Sequence, residues 1–255
     1  MKITLLQSNL IWEDKDANLQ SFENQIQNIN QKTDLIILPE MFTTGFSMHP
    51  EKWAEEHKGS TFKKMQNWAK SNQSAVLGSL IVKENNKYYN RAYFVFPDGT
   101  FQYYDKRHLF RMAKENEHYS SGNNRVIVEY KGWRIFPLIC YDLRFPVWSR
   151  NNLNYDLLIY VANWPERRSK PWKTLLQARA IENLSYVVGL NRVGKDGNGI
   201  EHSGDSALID FKGDVLSNIQ AHKTQSQTLE LDKEALESFR RKFPAHADSD
   251  EFDIV

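Results

Sequence analysis

Apolar residues along this chain follow two different periods. Nearly unbroken apolar runs at residues 3–6 and 35–38 bracket a segment, 16–32, in which Leu19, Phe22, Ile26 and Ile29 recur every three or four positions among polar residues. A run that is apolar throughout fits a strand buried on both faces, and the longer period fits an amphipathic helix, so the chain is expected to open β-α-β. The alternation continues with a helix over 61–71, carried by Phe62, Met65 and Trp68 and N-capped by Ser60, and a strand over 75–82. Strands over 87–96 and 101–105 flank Pro97-Asp98-Gly99-Thr100, whose turn chemistry predicts an antiparallel hairpin. Further strands are expected at 126–130, 133–139, 157–161, 186–191, 206–210 and 228–231, with a helix over 173–184 and one exposed loop over 194–204.

No repeat, composition shift or Pro/Gly/Ser linker divides the sequence, so residues 1–255 are expected to form one α/β domain. Its acidic end, 248–255, reads as a solvated terminus or as a segment that docks on a partner subunit. With 33 basic and 32 acidic side chains the net charge is +1, which gives no positive footprint for a nucleic acid. No run approaches the roughly 18 apolar residues of a membrane span, and the apolar start breaks too early for a signal peptide. A single cysteine makes no intrachain disulfide, and a cytoplasmic setting is expected. The seven histidines never pair at metal-ligand spacing, so neither metal nor cofactor is implied.

That cysteine, Cys140, stands where the mostly apolar run 133–139 gives way to the turn-prone Tyr141-Asp142-Leu143-Arg144-Phe145-Pro146. A lone cysteine is most often an inert buried hydrophobe. An ordinary thiol, with a pKa of about 8.5, is only about 3% thiolate at neutral pH, so a nucleophilic role requires a base or a cation nearby. Two residues in comparable places supply one each. Glu40 follows Asp34-Leu35-Ile36-Ile37-Leu38-Pro39, where partial desolvation would make it a stronger base. Lys106 follows Phe101-Gln102-Tyr103-Tyr104-Asp105 and, with the Tyr141 N–H, would stabilise the oxyanion of amide hydrolysis. Taken alone, Glu40 reads more readily as a strand-end carboxylate facing water and Lys106 as part of a solvated turn; only the combination points to chemistry.

Three segments carry that combination: Leu38-Pro39-Glu40-Met41-Phe42, Tyr104-Asp105-Lys106-Arg107-His108-Leu109-Phe110 and Ile139-Cys140-Tyr141-Asp142-Leu143-Arg144-Phe145-Pro146. In this order they resemble the nitrilase, or carbon-nitrogen hydrolase, superfamily, as do Val161-Ala162-Asn163-Trp164-Pro165, Ala178-Arg179-Ala180-Ile181-Glu182-Asn183 and Ser203-Gly204-Asp205-Ser206. The resemblance implies a four-layer α-β-β-α sandwich assembled as at least a homodimer. It makes Glu40 the base, Lys106 the cation and Cys140 the nucleophile of a thioester mechanism on a small-molecule amide. A second glutamate is implied after the lysine; spacing to Gly122 favours Glu115, while Glu117 matches the shorter spacing of some amidases. Lys114 stands where the family usually has glycine.

Leu109-Phe110-Arg111-Met112-Ala113 and Glu117-His118-Tyr119 resemble the bacterial omega-amidase branch, whose substrates are 2-oxoglutaramate and 2-oxosuccinamate. A substrate with a remote carboxylate needs a cation to grip it. The resemblance places Arg168 in that role and Tyr119 in the pocket, with Arg144 bracing the loop after Cys140; Phe42 and Trp164 are pocket walls or ordinary core aromatics. A nitrilase or N-carbamoyl amidase using the same three residues, or a catalytically silent binding sandwich, are the alternatives.

Overall fold

The structure is a computed structural model, described over residues 1–254. Two sheets form its centre. The larger runs, by neighbouring strands, Gln225–Glu230, Lys2–Gln7, Leu35–Ile37, Ala75–Glu84, Lys87–Val95 and Phe101–Asp105, with the short Glu55–Glu56 strand beside Ala75–Glu84. The smaller runs Ala207–Ile209, Tyr186–Asn191, Leu157–Ala162, Trp133–Ile139 and Val128–Tyr130. In each sheet the inner strands are parallel and antiparallel strands close the edges.

The unbroken apolar runs are explained by what covers their two faces. Ile3, Leu5, Leu35 and Ile37 point into the core shared with the second sheet, while the alternating Leu6, Ile36 and Leu38 meet the helices outside. Helix Lys15–Gln27 contributes Leu19, Phe22 and Ile26 to that outer layer, and helix Ser60–Asn72 contributes Phe62, Met65 and Trp68. Each such side chain, fully buried, contributes about 1.5–3 kcal/mol. On the far side, helix Ser169–Asn183 lays Trp172, Leu176 and Ala180 on the second sheet. Gly189 admits it, since a Cβ there would lie 2.3 Å from Leu176 Cδ1. The result is the expected α-β-β-α sandwich.

The differences from the sequence reading are local. The first helix stops at Gln27 rather than 32, because Asn28 caps it and turns its own amide onto the Asn24 carbonyl at 2.8 Å. Ser60 is the first helical residue and not the cap; the Glu55 carboxylate takes the Thr61 N–H instead, at 2.8 Å. The loop expected over 194–204 is largely a hairpin of Val193–Lys195 with Glu201–Ser203, and its His202 and Ser203 are buried. A terminal helix, Lys233–Lys242, had no counterpart in the sequence reading, because only Leu236 of it is buried and the charged remainder hides the period. No helix among the described residues is long and apolar enough to cross a membrane.

Candidate active site

Parallel strands deliver their next residues to one end of a sheet, where α/β proteins build their sites. Here Leu35–Ile37 leads to Glu40, Trp133–Ile139 to Cys140, and Leu157–Ala162 to Asn163. Cys140 opens a tight turn, Cys140–Arg144, and has φ +44°. That left-handed conformation costs a non-glycine residue about 1–2 kcal/mol, and strain of this kind gathers where a side chain must be aimed.

Glu40 is fully buried, yet every part of it is held. Its Oε1 accepts from Lys106 Nζ and from Asn90 Nδ2, each at 2.8 Å. Its Oε2 accepts the Asn163 backbone N–H at 2.8 Å, and the Asn163 side chain donates to the Glu40 carbonyl at 2.5 Å. Glu115, equally buried, accepts from Lys106 Nζ at 3.0 Å with both oxygens and takes the Phe110 N–H at 2.6 Å. One ammonium thus lies between two dry carboxylates. Burial works against the charge of Lys106, but Glu115 and Glu40 outweigh it and raise its pKa. Burial raises the pKa of Glu115, against the pull of Lys106 and with the push of Glu40. The Cys140 thiol is held well above its ordinary value by burial and then by Glu40, with only partial relief from Lys106. The thiol therefore rests neutral, so that any attack by it would require a base to take its proton as the new bond forms.

Cys140 opens onto a cavity of about 630 Å³, walled by Tyr141, Trp164, Phe110 and Phe46 and by three arginines, Arg144, Arg167 and Arg168. The hairpin over 193–203 supplies the remaining side through Asp196, Asn198, Ile200 and His202.

The model of the carbon-nitrogen hydrolase family matches residues 2–241. The chain belongs to that family. It is 50% identical to the omega-amidase YafV of Escherichia coli K12, over 99% of this chain and 98% of that one. It is 33% identical to the 2-oxoglutaramate amidase of Bacillus subtilis, over 84% and 85% of the two chains. The crystal structure of XC1258 from Xanthomonas campestris, a CN-hydrolase superfamily protein with an arsenic adduct in its active site, superposes with a TM-score of 0.97 at 42% identity, covering 100% of this chain and 99% of that one. The protein is accordingly a hydrolase of non-peptide carbon-nitrogen bonds in linear amides, with a small-molecule amide as substrate.

In this carbon-nitrogen hydrolase Glu40, Lys106, Glu115 and Cys140 converge, and Tyr141, Trp164 and Arg168 reach the cavity. Glu117 is exposed and faces Lys114 at 3.8 Å, so Glu115 is the carboxylate on the lysine. Two expected pocket residues lie elsewhere. Phe42 packs in the outer core, 5.4 Å from the Phe22 ring, because the chain has left the strand and turns at Met41, φ +43°. Tyr119 is buried against Met41 and Ile81 and donates its hydroxyl to the Ser47 carbonyl at 2.7 Å. Arg144 does not brace the loop after Cys140: it is exposed to the cavity, 5.2 Å over the Trp164 ring, and the buried Arg179 holds the Leu143 carbonyl at 2.7 Å instead. Lys114 has φ +58°, which accounts for glycine being usual there. Gly122 packs so closely that a Cβ would lie 2.2 Å from the Asp105 carbonyl oxygen.

Sequence reasoning missed the polar supports. Asn90 sits within strand Lys87–Val95, and Asn191 holds the Trp164 backbone on both sides, at 2.7 and 2.9 Å. Asparagine is depleted in strands, so one at a wholly buried strand position was the available signal. Arg192, also buried, binds the carbonyls of Leu10, Val193 and Lys195, and its pKa is lowered by burial to about 10. Among the described residues no group of three or more His, Cys, Asp or Glu is placed to hold a metal ion.

Proposed function

We propose that this enzyme is an omega-amidase that hydrolyses the terminal amide of 2-oxoglutaramate or 2-oxosuccinamate to the 2-oxo dicarboxylate and ammonia. The observation that carries the reading is the cavity in which Cys140 faces a wall of arginines, with the dry Glu40–Lys106–Glu115 cluster close enough to act on its thiol. Arg168 lies 5.2 Å over the Phe110 ring and donates to Met112 Sδ at 2.9 Å. Its pKa is lowered by burial and then by the like charges of Arg167 and Arg144, so a carboxylate entering here relieves mutual repulsion. Identity of 50% to a named omega-amidase supports the same substrate class.

In the mechanism, the Glu40 carboxylate takes the thiol proton as Sγ of Cys140 bonds to the amide carbon. The resulting oxyanion is held by Lys106 Nζ and the Tyr141 N–H. Collapse breaks the carbon-nitrogen bond, Glu40 returns the proton to the departing nitrogen, and ammonia leaves a thioester on Cys140. A water deprotonated by Glu40 adds to that thioester, and collapse releases the acid while Glu40 reprotonates the thiolate. Glu115 touches Lys106 and keeps its ammonium in place. The proposal extends to a cytoplasmic homo-oligomer, at least a dimer, as the superfamily resemblance implies.

The test is ammonia release from 2-oxoglutaramate, with glutamine, a simple aliphatic nitrile and N-carbamoyl-β-alanine alongside, for the wild type and Cys140→Ala. Cysteine-dependent release from the keto-amide is expected. Preference for another member of the panel would replace the substrate, and silence on all four would reject the reading.

A further inference from the structure

Asp142 has no access to solvent and lies two residues past the nucleophile. Its carboxylate is surrounded by donors. Oδ2 accepts the Ile139 N–H at 3.0 Å and the Tyr104 hydroxyl at 2.7 Å. Oδ1 accepts the His108 backbone N–H at 3.0 Å and lies 2.7 Å from His108 Nδ1. The Tyr104 oxygen itself accepts the Arg107 N–H at 3.1 Å and the Trp148 indole N–H at 3.0 Å, which commits its own hydrogen to Asp142. The His108 ring is fixed flat on Phe145, 3.7 Å between centroids at an interplanar angle of 6°.

These partners are not scattered. Ile139 immediately precedes Cys140, while Tyr104 and His108 stand two residues before and two after Lys106. One buried carboxylate therefore joins the turn that carries the thiol to the strand end that carries the ammonium. The two segments come from different sheets, and Cys140 sits at φ +44°, a conformation that persists only when its surroundings fix it.

We propose that Asp142 is a positioning residue for the reaction: it holds the strained Cys140 turn in register with Lys106 without touching the reacting atoms. This rests on the roles given above to Cys140 and Lys106. The chemistry requires a carboxylate. Asparagine has nearly the same shape, but its NH₂ would face a backbone N–H, that of Ile139 or that of His108, in whichever orientation it took, leaving that buried donor without an acceptor. The turn or the lysine strand must then move to find one. A misplacement of about 1 Å costs on the order of a hundredfold in rate.

The experiment uses the full-length enzyme with Asp142→Asn and the linear amide that the wild type hydrolyses best. It reads kcat, KM, thermal unfolding and the rate at which iodoacetamide alkylates Cys140, all well below the melting temperature. A fall in kcat of about fiftyfold or more is expected, with KM within about threefold and alkylation slowed about fivefold or more. A folded variant that keeps kcat within about threefold, or that loses activity only in proportion to its unfolded fraction, overturns the proposal. If Asp142→Asn does not fold, His108→Ala carries the test by removing one donor: a drop in kcat of about tenfold at unchanged KM supports the proposal, and an unchanged kcat overturns it. The alkylation rate needs no substrate. A wild type silent on 2-oxoglutaramate whose thiol still reacts faster than the variant's would reject the omega-amidase reading and leave this one standing.

Discussion

The Asn90 side chain donates to Glu40 Oε1 at 2.8 Å while its own oxygen accepts the Ser79 hydroxyl, also at 2.8 Å. The Ser79 oxygen accepts the Met41 N–H at 2.8 Å, which closes a ring of contacts back to the residue beside Glu40. The amide is thereby fixed in one orientation. Replacing Asn90 with Asp adds a third carboxylate to Glu40 and Glu115 around one ammonium, and the three cannot all ionise cheaply. Asn90→Asp is expected to lower kcat about a hundredfold with little change in KM, read from steady-state kinetics at neutral pH.

Glu40→Gln keeps the shape of the base and removes its ability to take a proton. With a neutral thiol to activate, kcat should fall by about a thousandfold or more in steady-state kinetics at neutral pH. A kcat within about tenfold of the wild type would mean that the thiol does not depend on Glu40.

Arg144→Ala and Arg168→Ala separate the two candidate grips on a substrate carboxylate. Loss of a charge-assisted contact of about 1.5–3 kcal/mol predicts a rise in KM of roughly ten- to a hundredfold for 2-oxoglutaramate. An unchanged KM in one variant removes that arginine from the role, and an unchanged KM in both leaves only Arg167 of the three cavity arginines to grip the carboxylate. The same variants should treat a neutral amide like the wild type does.

His202 is held neutral by burial and then by the charge of Arg192, its pKa lowered to about 4 from 6.5. A histidine depressed in the folded state stabilises it fully above the unfolded value and loses that contribution as pH falls from about 6.5 toward 4. At 1.36 kcal/mol per unit the loss approaches about 3 kcal/mol. Urea unfolding between pH 7.5 and 4.5 should show a decline that His202→Gln flattens; an equally steep decline in the variant would assign it to other groups.

At φ +58° Lys114 occupies a conformation suited to glycine, and its ion pair with Glu117, both partners exposed, contributes little. Lys114→Gly is expected to stabilise the fold by up to about 1 kcal/mol, relief of strain outweighing the added freedom of the unfolded chain. Equilibrium unfolding decides it, and a destabilised variant would contradict the account.

Much of the fold was legible because its periods are local. The hairpin strand Phe101–Asp105 and the strands Trp133–Ile139 and Tyr186–Asn191 lie where alternation and turn residues placed them. Ends were less legible, as at Asn28 and Ser60, where the Asn28 amide on the Asn24 carbonyl and the Glu55 carboxylate on the Thr61 N–H settle the boundary. Glu40, Lys106 and Cys140 could be marked from their strand ends and the superfamily resemblance, but their supports could not. Asn163 meets Glu40 across 123 positions of sequence, and Asn90 does so across 50. Phe42 illustrates the opposite limit: its sequence neighbourhood is that of the site, while the turn after Glu40 sends its ring into the outer core.

Glu40, Asn90 and Lys106 ride on one sheet, and Cys140 and Asn163 on the other. Neither sheet alone is a weakened enzyme; each holds an incomplete set of groups that is inert until the two layers dock. Hydrolysis thus acts as a built-in reporter of tertiary docking, and on gentle heating activity should vanish before the strands and helices melt.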